Sequence, residues 1–110
     1  MKIQNETKGT IVSNSAKEAL SFLDRSFGLL LRENPKTLIF YTRFGLHTFG
    51  LRSSIDILVL DRNHKVVRLE KGLKPNRFFL YSPIYRTVIE LPDGAIDLSK
   101  THPGDKLKFV

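Results

Sequence analysis

The sequence predicts a mainly β domain, an antiparallel sandwich or barrel with one amphipathic helix near the N-terminus. Three observations lead there. One stretch, SNSAKEALSFLDRSFGLLLR, carries apolar residues at helical spacing. After Pro35 the apolar period shifts from about 3.6 residues towards about 2. Short β-type runs then alternate with turn signals every ~8–12 residues.

The elements follow in order. Residues 3–12 read as an edge strand or hairpin, with Lys8-Gly9 as the turn. In the helical stretch, Ser15 is placed to cap and Glu18 falls three residues later, the capping-box spacing. Ala16, Leu20, Leu23 and Phe27 form the buried stripe, Asp24 and Arg25 the wet side, and Gly28 the stop. Candidate strands cover 37–43, 46–52, 55–61, 65–71, 77–82, 86–91 and 106–110. Ser53-Ser54 is read as a two-residue hairpin joining the second and third, with a corner between sheets as the alternative. DRNHK reads as the next hairpin turn, with Asn63 at positive φ. In LPDGAIDLSKTHPGDKL, two Pro-Gly turns flank a helical turn anchored by Ile96 and Leu98.

Composition narrows the function. At 110 residues, 41% hydrophobic and 26% charged, the chain is one domain, 1–110, that needs no metal or disulfide to fold. The absence of cysteine excludes thiolate nucleophiles and Cys-ligated metals. The N-terminus has no run of signal-peptide length, and LIFY and ILVL are too short to span a bilayer, so a cytoplasmic protein without membrane association is expected. The net charge of +7 raises nucleic acid as a partner. The 18 Lys and Arg are dispersed and rarely adjoin, which favours a solvated surface.

No Gly-x-Ser-x-Gly elbow or Gly-rich phosphate loop is present, and His47, His64 and His102 lack metal-ligand spacing. No cofactor and no metal are therefore expected. Asp56 demands an account, because it stands in an apolar run, IDILVL. A buried carboxylate must be compensated, either by an arginine such as Arg32, Arg43 or Arg52 or by turn amides. The alternative is that it faces a ligand. Glu90 could supply a second carboxylate for acid–base work, or lie paired or on the wet face.

The segments RSFGLLLR, HTFGLRSSIDILVLD, VVRLEKGLKPNR, VIELPDG and GDKLKF occur in this order. The ordered set resembles the prokaryotic family called domain of unknown function 192, over about residues 16–110. His47, Thr48, Phe49, Arg52, Asp56, Pro75, Arg77, Glu90, Gly94, Gly104 and Asp105 match the family pattern. Leu30 and Leu51 stand where the family has Met, and Ser54 where it has Pro. The resemblance implies a jelly-roll-like sandwich with one helix and assigns no activity.

The favoured function is a non-catalytic module that binds a small polar or carbohydrate-like ligand, or a protein partner segment. Its patch would comprise His47, Arg52, Asp56, Arg77 and Glu90. One alternative is single-stranded nucleic-acid binding through residues 74–86, with Arg77, Tyr81, Tyr85 and Arg86. Another is an enzyme using Asp56 and Glu90.

Overall fold

Every residue of the strand Ile55–Leu60 is buried, Asp56 included, in the computed structural model, which describes residues 1–18, 37–43, 45–49 and 51–110. A strand apolar on both sides must be covered on both, and here it is. The strands are β1 (Ile3–Asn5), β2 (Thr10–Ser13), β3 (Lys17–Glu18), β4 (Leu38–Tyr41), β5 (Leu46–His47), β6 (Ile55–Leu60), β7 (Val66–Leu73), β8 (Phe78–Phe79), β9 (Thr87–Pro92) and β10 (Leu107–Phe109). Five of them form a central sheet in the order β3-β4-β9-β6-β7. The three-stranded sheet β10-β1-β2 and the helix α1 (Ala95–Ser99) cover one face, where Leu58, Leu60, Ile89 and Leu91 meet Ile3, Ile96 and Leu107. The ribbon β5-β8 covers the other, where Ile57, Val59 and Val88 meet Leu46, Phe79 and Tyr81.

The mainly β expectation holds, with corrections. The described strands form no closed barrel, and three layers replace the two of a jelly-roll-like sandwich. Residues 15–18 do not begin a helix. The Ala16 N–H bonds Met1 O at 2.8 Å and the Lys17 N–H bonds Thr37 O at 3.1 Å. Backbone pairing thus claims amides that a capped first turn would leave for the cap, and Lys17–Glu18 run parallel to β4. The remainder of the expected helix, 19–28, lies outside the described residues. Among the described residues the helix is α1, near the C-terminus. Its anchor is Ile96, fully buried, whereas Leu98 is 86% exposed.

The first hairpin forms as expected, with Gly9 at φ 70 in its turn. DRNHK also turns as expected, but His64 rather than Asn63 takes positive φ (61). Asp61 Oδ1 accepts the N–H groups of Asn63 and Lys65, each at 2.9 Å, and this fixes the turn ahead of His64. Ser53-Ser54 belongs to a corner, not a hairpin: β5 pairs with β8, and the chain then bends into the central sheet as β6.

Candidate functional site

Asp56 is compensated by amides. Its cross-strand partner is Leu91, so it shares a face with Leu58 and Leu60. Oδ1 accepts the Gly72 N–H and Oδ2 the Ile96 N–H, both at 2.9 Å. Gly72 sits in a bulge: the pairing passes from Ile55 with Leu73 to Ile57 with Glu70, leaving Lys71 and Gly72 against Asp56. Its φ of 63 suits glycine. Ile96 is the second residue of α1, whose N-cap, Gly94, offers no side chain. A strand carboxylate therefore caps the helix from outside its own sequence.

Glu90 is also buried, at 2% exposure, but its cross-strand partners are Ile57 and Leu38. It faces the ribbon side of the sheet, away from Asp56. The two carboxylates open into no common cleft, which removes the basis for the acid–base pair.

His47 and Arg77 lie near where β5 pairs with β8, His47 opposite Phe78 and Arg77 bonded to Thr48. His47 stacks on Phe49 at 5.0 Å and accepts the Phe49 N–H on Nδ1 at 3.3 Å, and Phe49 packs edge-on against Phe78 at 4.9 Å. Between them Thr48 is fully buried. Its hydroxyl donates to Lys74 O at 2.8 Å and accepts the Arg77 N–H at 2.9 Å. Its backbone N–H donates to Arg77 O at 2.8 Å, and its carbonyl accepts the Asn76 N–H at 3.0 Å. The HTF and KPNR segments are thus one clamped unit. Thr48, its central member, matches the family pattern in sequence, but nothing in its own surroundings marks its clamping role. Arg52 lies exposed in the 51–54 corner. The five residues chosen from sequence do not share a surface.

Nor do the four of the nucleic-acid alternative. Tyr81 is 8% exposed and its hydroxyl donates to Thr42 O. Burial pushes the phenol up to about 12, outweighing the hydrogen bonds that lower it. Arg77 belongs to the Thr48 unit, whereas Tyr85 and Arg86 line a different feature.

That feature is a cleft of about 570 Å³ at one end of the central sheet. There β4 and β6 end and β9 begins, with Thr87 opposite both Tyr41 and Leu60. Arg43 enters from the chain after β4, Arg86 from the residue before β9, and Arg62 from the β6–β7 turn. Among the described residues, none of the three guanidinium groups has an ion-pair partner; the pairs formed are Lys8–Asp105 and Lys71–Asp97. Asp61 lines the cleft too, but its Oδ1 is engaged by the turn amides.

The other lining is aromatic and apolar. Tyr41 is 53% exposed and donates its hydroxyl to Glu18 Oε1 at 3.1 Å. Burial raises its pKa, and the hydrogen bond and charge of Glu18 raise it further. Tyr85 and the 75%-exposed Ile84 stand beside it, and His64 stacks on Phe109 at 4.5 Å. Among the described residues no group of three His, Asp or Glu could hold a metal, and no helix is long and apolar enough to cross a membrane.

Comparison with known proteins agrees with this architecture. The model of the family described as Uncharacterized ACR, domain of unknown function 192, matches residues 3–109. The UPF0127 protein of Pyrococcus horikoshii is 34% identical over 113 residues, covering 97% of both chains. The UPF0127 protein of Pyrococcus abyssi is 33% identical, covering 98% of this chain and 97% of its own. A crystal structure of a protein of unknown function from Novosphingobium aromaticivorans superposes with a TM-score of 0.79 at 14% identity, over 98% of this chain and 82% of its own. The chain belongs to the uncharacterised family called domain of unknown function 192.

Proposed function

We propose that the protein is a non-catalytic module that binds a small anionic ligand in the cleft between Arg43, Arg62 and Arg86. One observation carries this reading: three arginines without acidic partners among the described residues line a single cavity. Like charges that share a cleft repel, and an oxyanion both relieves that repulsion and accepts the paired N–H groups of guanidinium. The cleft's volume, about 570 Å³, is of the size that small-ligand sites usually have. Asp56 and Glu90, both buried, offer no such opening.

Thermal melting in inorganic phosphate against chloride at matched ionic strength tests the proposal. Phosphate also stabilises proteins by exclusion from their surface, so the control is the Arg62→Gln/Arg86→Gln double variant. Ligand-linked stabilisation should appear in the native protein and vanish in the variant. Equal shifts in the two proteins would refute an anion site.

A further inference from the structure

On the anion-site reading above, we infer that the ligand of the cleft is a phosphate ester carrying a planar base, a mononucleotide in its chemistry. Besides Asp61, whose Oδ1 is taken up by the turn amides, the lining holds two sets of groups. Arg43, Arg62 and Arg86 supply the cations, and Tyr41, Tyr85 and Ile84 supply ring and aliphatic surface. A bare oxyanion needs only the first set. Tyr41 is more than half exposed, yet its hydroxyl is tethered to Glu18, so the ring is held at the cleft. Guanidinium and phenol faces both stack on heteroaromatic rings, and every base has such a face. A nucleic-acid strand would need a groove that tracks its backbone with successive stacking platforms. Here Tyr81, the next ring along the chain, is buried, and the Arg77 backbone is clamped to Thr48. A bounded cleft with one cationic set and one aromatic set fits a single nucleotide.

Calorimetric titration of the full chain with inorganic phosphate, ribose 5-phosphate, adenosine monophosphate and decathymidylate, at fixed ionic strength, tests this. Adenosine monophosphate should bind roughly tenfold tighter than ribose 5-phosphate, equivalent to about 1.4 kcal/mol. Tyr41→Leu should erase that preference and leave ribose 5-phosphate binding intact, whereas Tyr41→Phe, which keeps the ring but loses the Glu18 tether, should retain part of it. Arg86→Gln should weaken every phosphate ligand alike. Equal binding of the two esters overturns the base-stacking inference while the anion site stands. Decathymidylate binding far tighter than the mononucleotide, with a steep salt dependence, overturns it in favour of a strand. No binding by any phosphate compound overturns the anion site itself.

Discussion

Asp56 and Asp105 are both buried acids, and the fold compensates them in different ways. Asp56 accepts two backbone amides that belong to a bulge and a helix start. Asp56→Ala strands the buried Ile96 N–H and the part-buried Gly72 N–H, and an orphaned buried donor costs about 1–3 kcal/mol, so a loss of about 1–4 kcal/mol is expected in urea unfolding. A loss below about 0.5 kcal/mol, typical of a surface change, would contradict the account. Asp105 is 4% exposed and accepts Asn5 Nδ2 at 3.0 Å, the His102 N–H at 2.9 Å and Lys8 Nζ at 2.9 Å. Burial alone would raise its pKa, but those hydrogen bonds and the Lys8 charge outweigh it and hold the carboxyl at about 2, against 3.8 for an ordinary Asp. The folded pKa is depressed, so the group adds stability above the unfolded value. That stability fades as pH falls from 3.8 towards about 2. In melting curves the native protein should exceed Asp105→Asn near neutrality, and the gap should narrow across this window.

At the scale of elements, short pieces are held by contacts from elsewhere in the chain. The helix α1 has five residues, too few to be stable alone, and Asp56 caps it from β6. The ribbon β5-β8 has two residues per strand and is pinned by Thr48 at one end. Arg68 adds a second tie, lying over the Phe79 ring at 4.5 Å and donating to Leu80 O at 2.6 Å. Thr48→Val keeps the shape but removes the hydroxyl, leaving Lys74 O and the Arg77 N–H without it. The expected cost is about 1–3 kcal/mol, with faster hydrogen exchange at the Arg77 amide. Unchanged exchange there would show that the hydroxyl does not hold the turn. Gly45, at φ 125, precedes the ribbon, and a Cβ there would overlap the Phe79 carbonyl. Gly45→Ala should therefore unfold at lower denaturant, by more than about 1 kcal/mol. An unchanged midpoint would mean that the ribbon shifts freely.

Across the whole molecule, charge is collected by topology. Arg43, Arg62 and Arg86 are far apart in the chain, but antiparallel pairing in the order β4-β9-β6 gathers their positions at one end of the sheet. Three cations against the single carboxylate of Asp61 leave the cleft with excess positive charge, which costs stability when no ligand anion is bound. Arg62→Gln should therefore raise the urea midpoint slightly at low salt while weakening phosphate binding. The gain should shrink between about 0.01 M and about 1 M salt, as the screening length falls from about 30 Å to about 3 Å. A midpoint difference that ignores salt would show that the three charges do not interact.

The mainly β class, the turns at Gly9, Gly94 and Gly104, and the family could all be read from the chain, because period, turn chemistry and motif order are written along it. The sequence also singled out Asp56 as an acid that, if buried and charged, must be compensated. That amides rather than an arginine do this became visible only once the strands were paired. The donors, Gly72 and Ile96, lie 16 and 40 residues away, and nothing in their own surroundings marks them. Likewise, pleat parity along β6 and β9 sends Asp56 and Glu90 to opposite faces, which depends on which strands pair and in what register. The arginine cleft has the same origin: dispersed cations read as a solvated surface until strand order brings three of them to one rim.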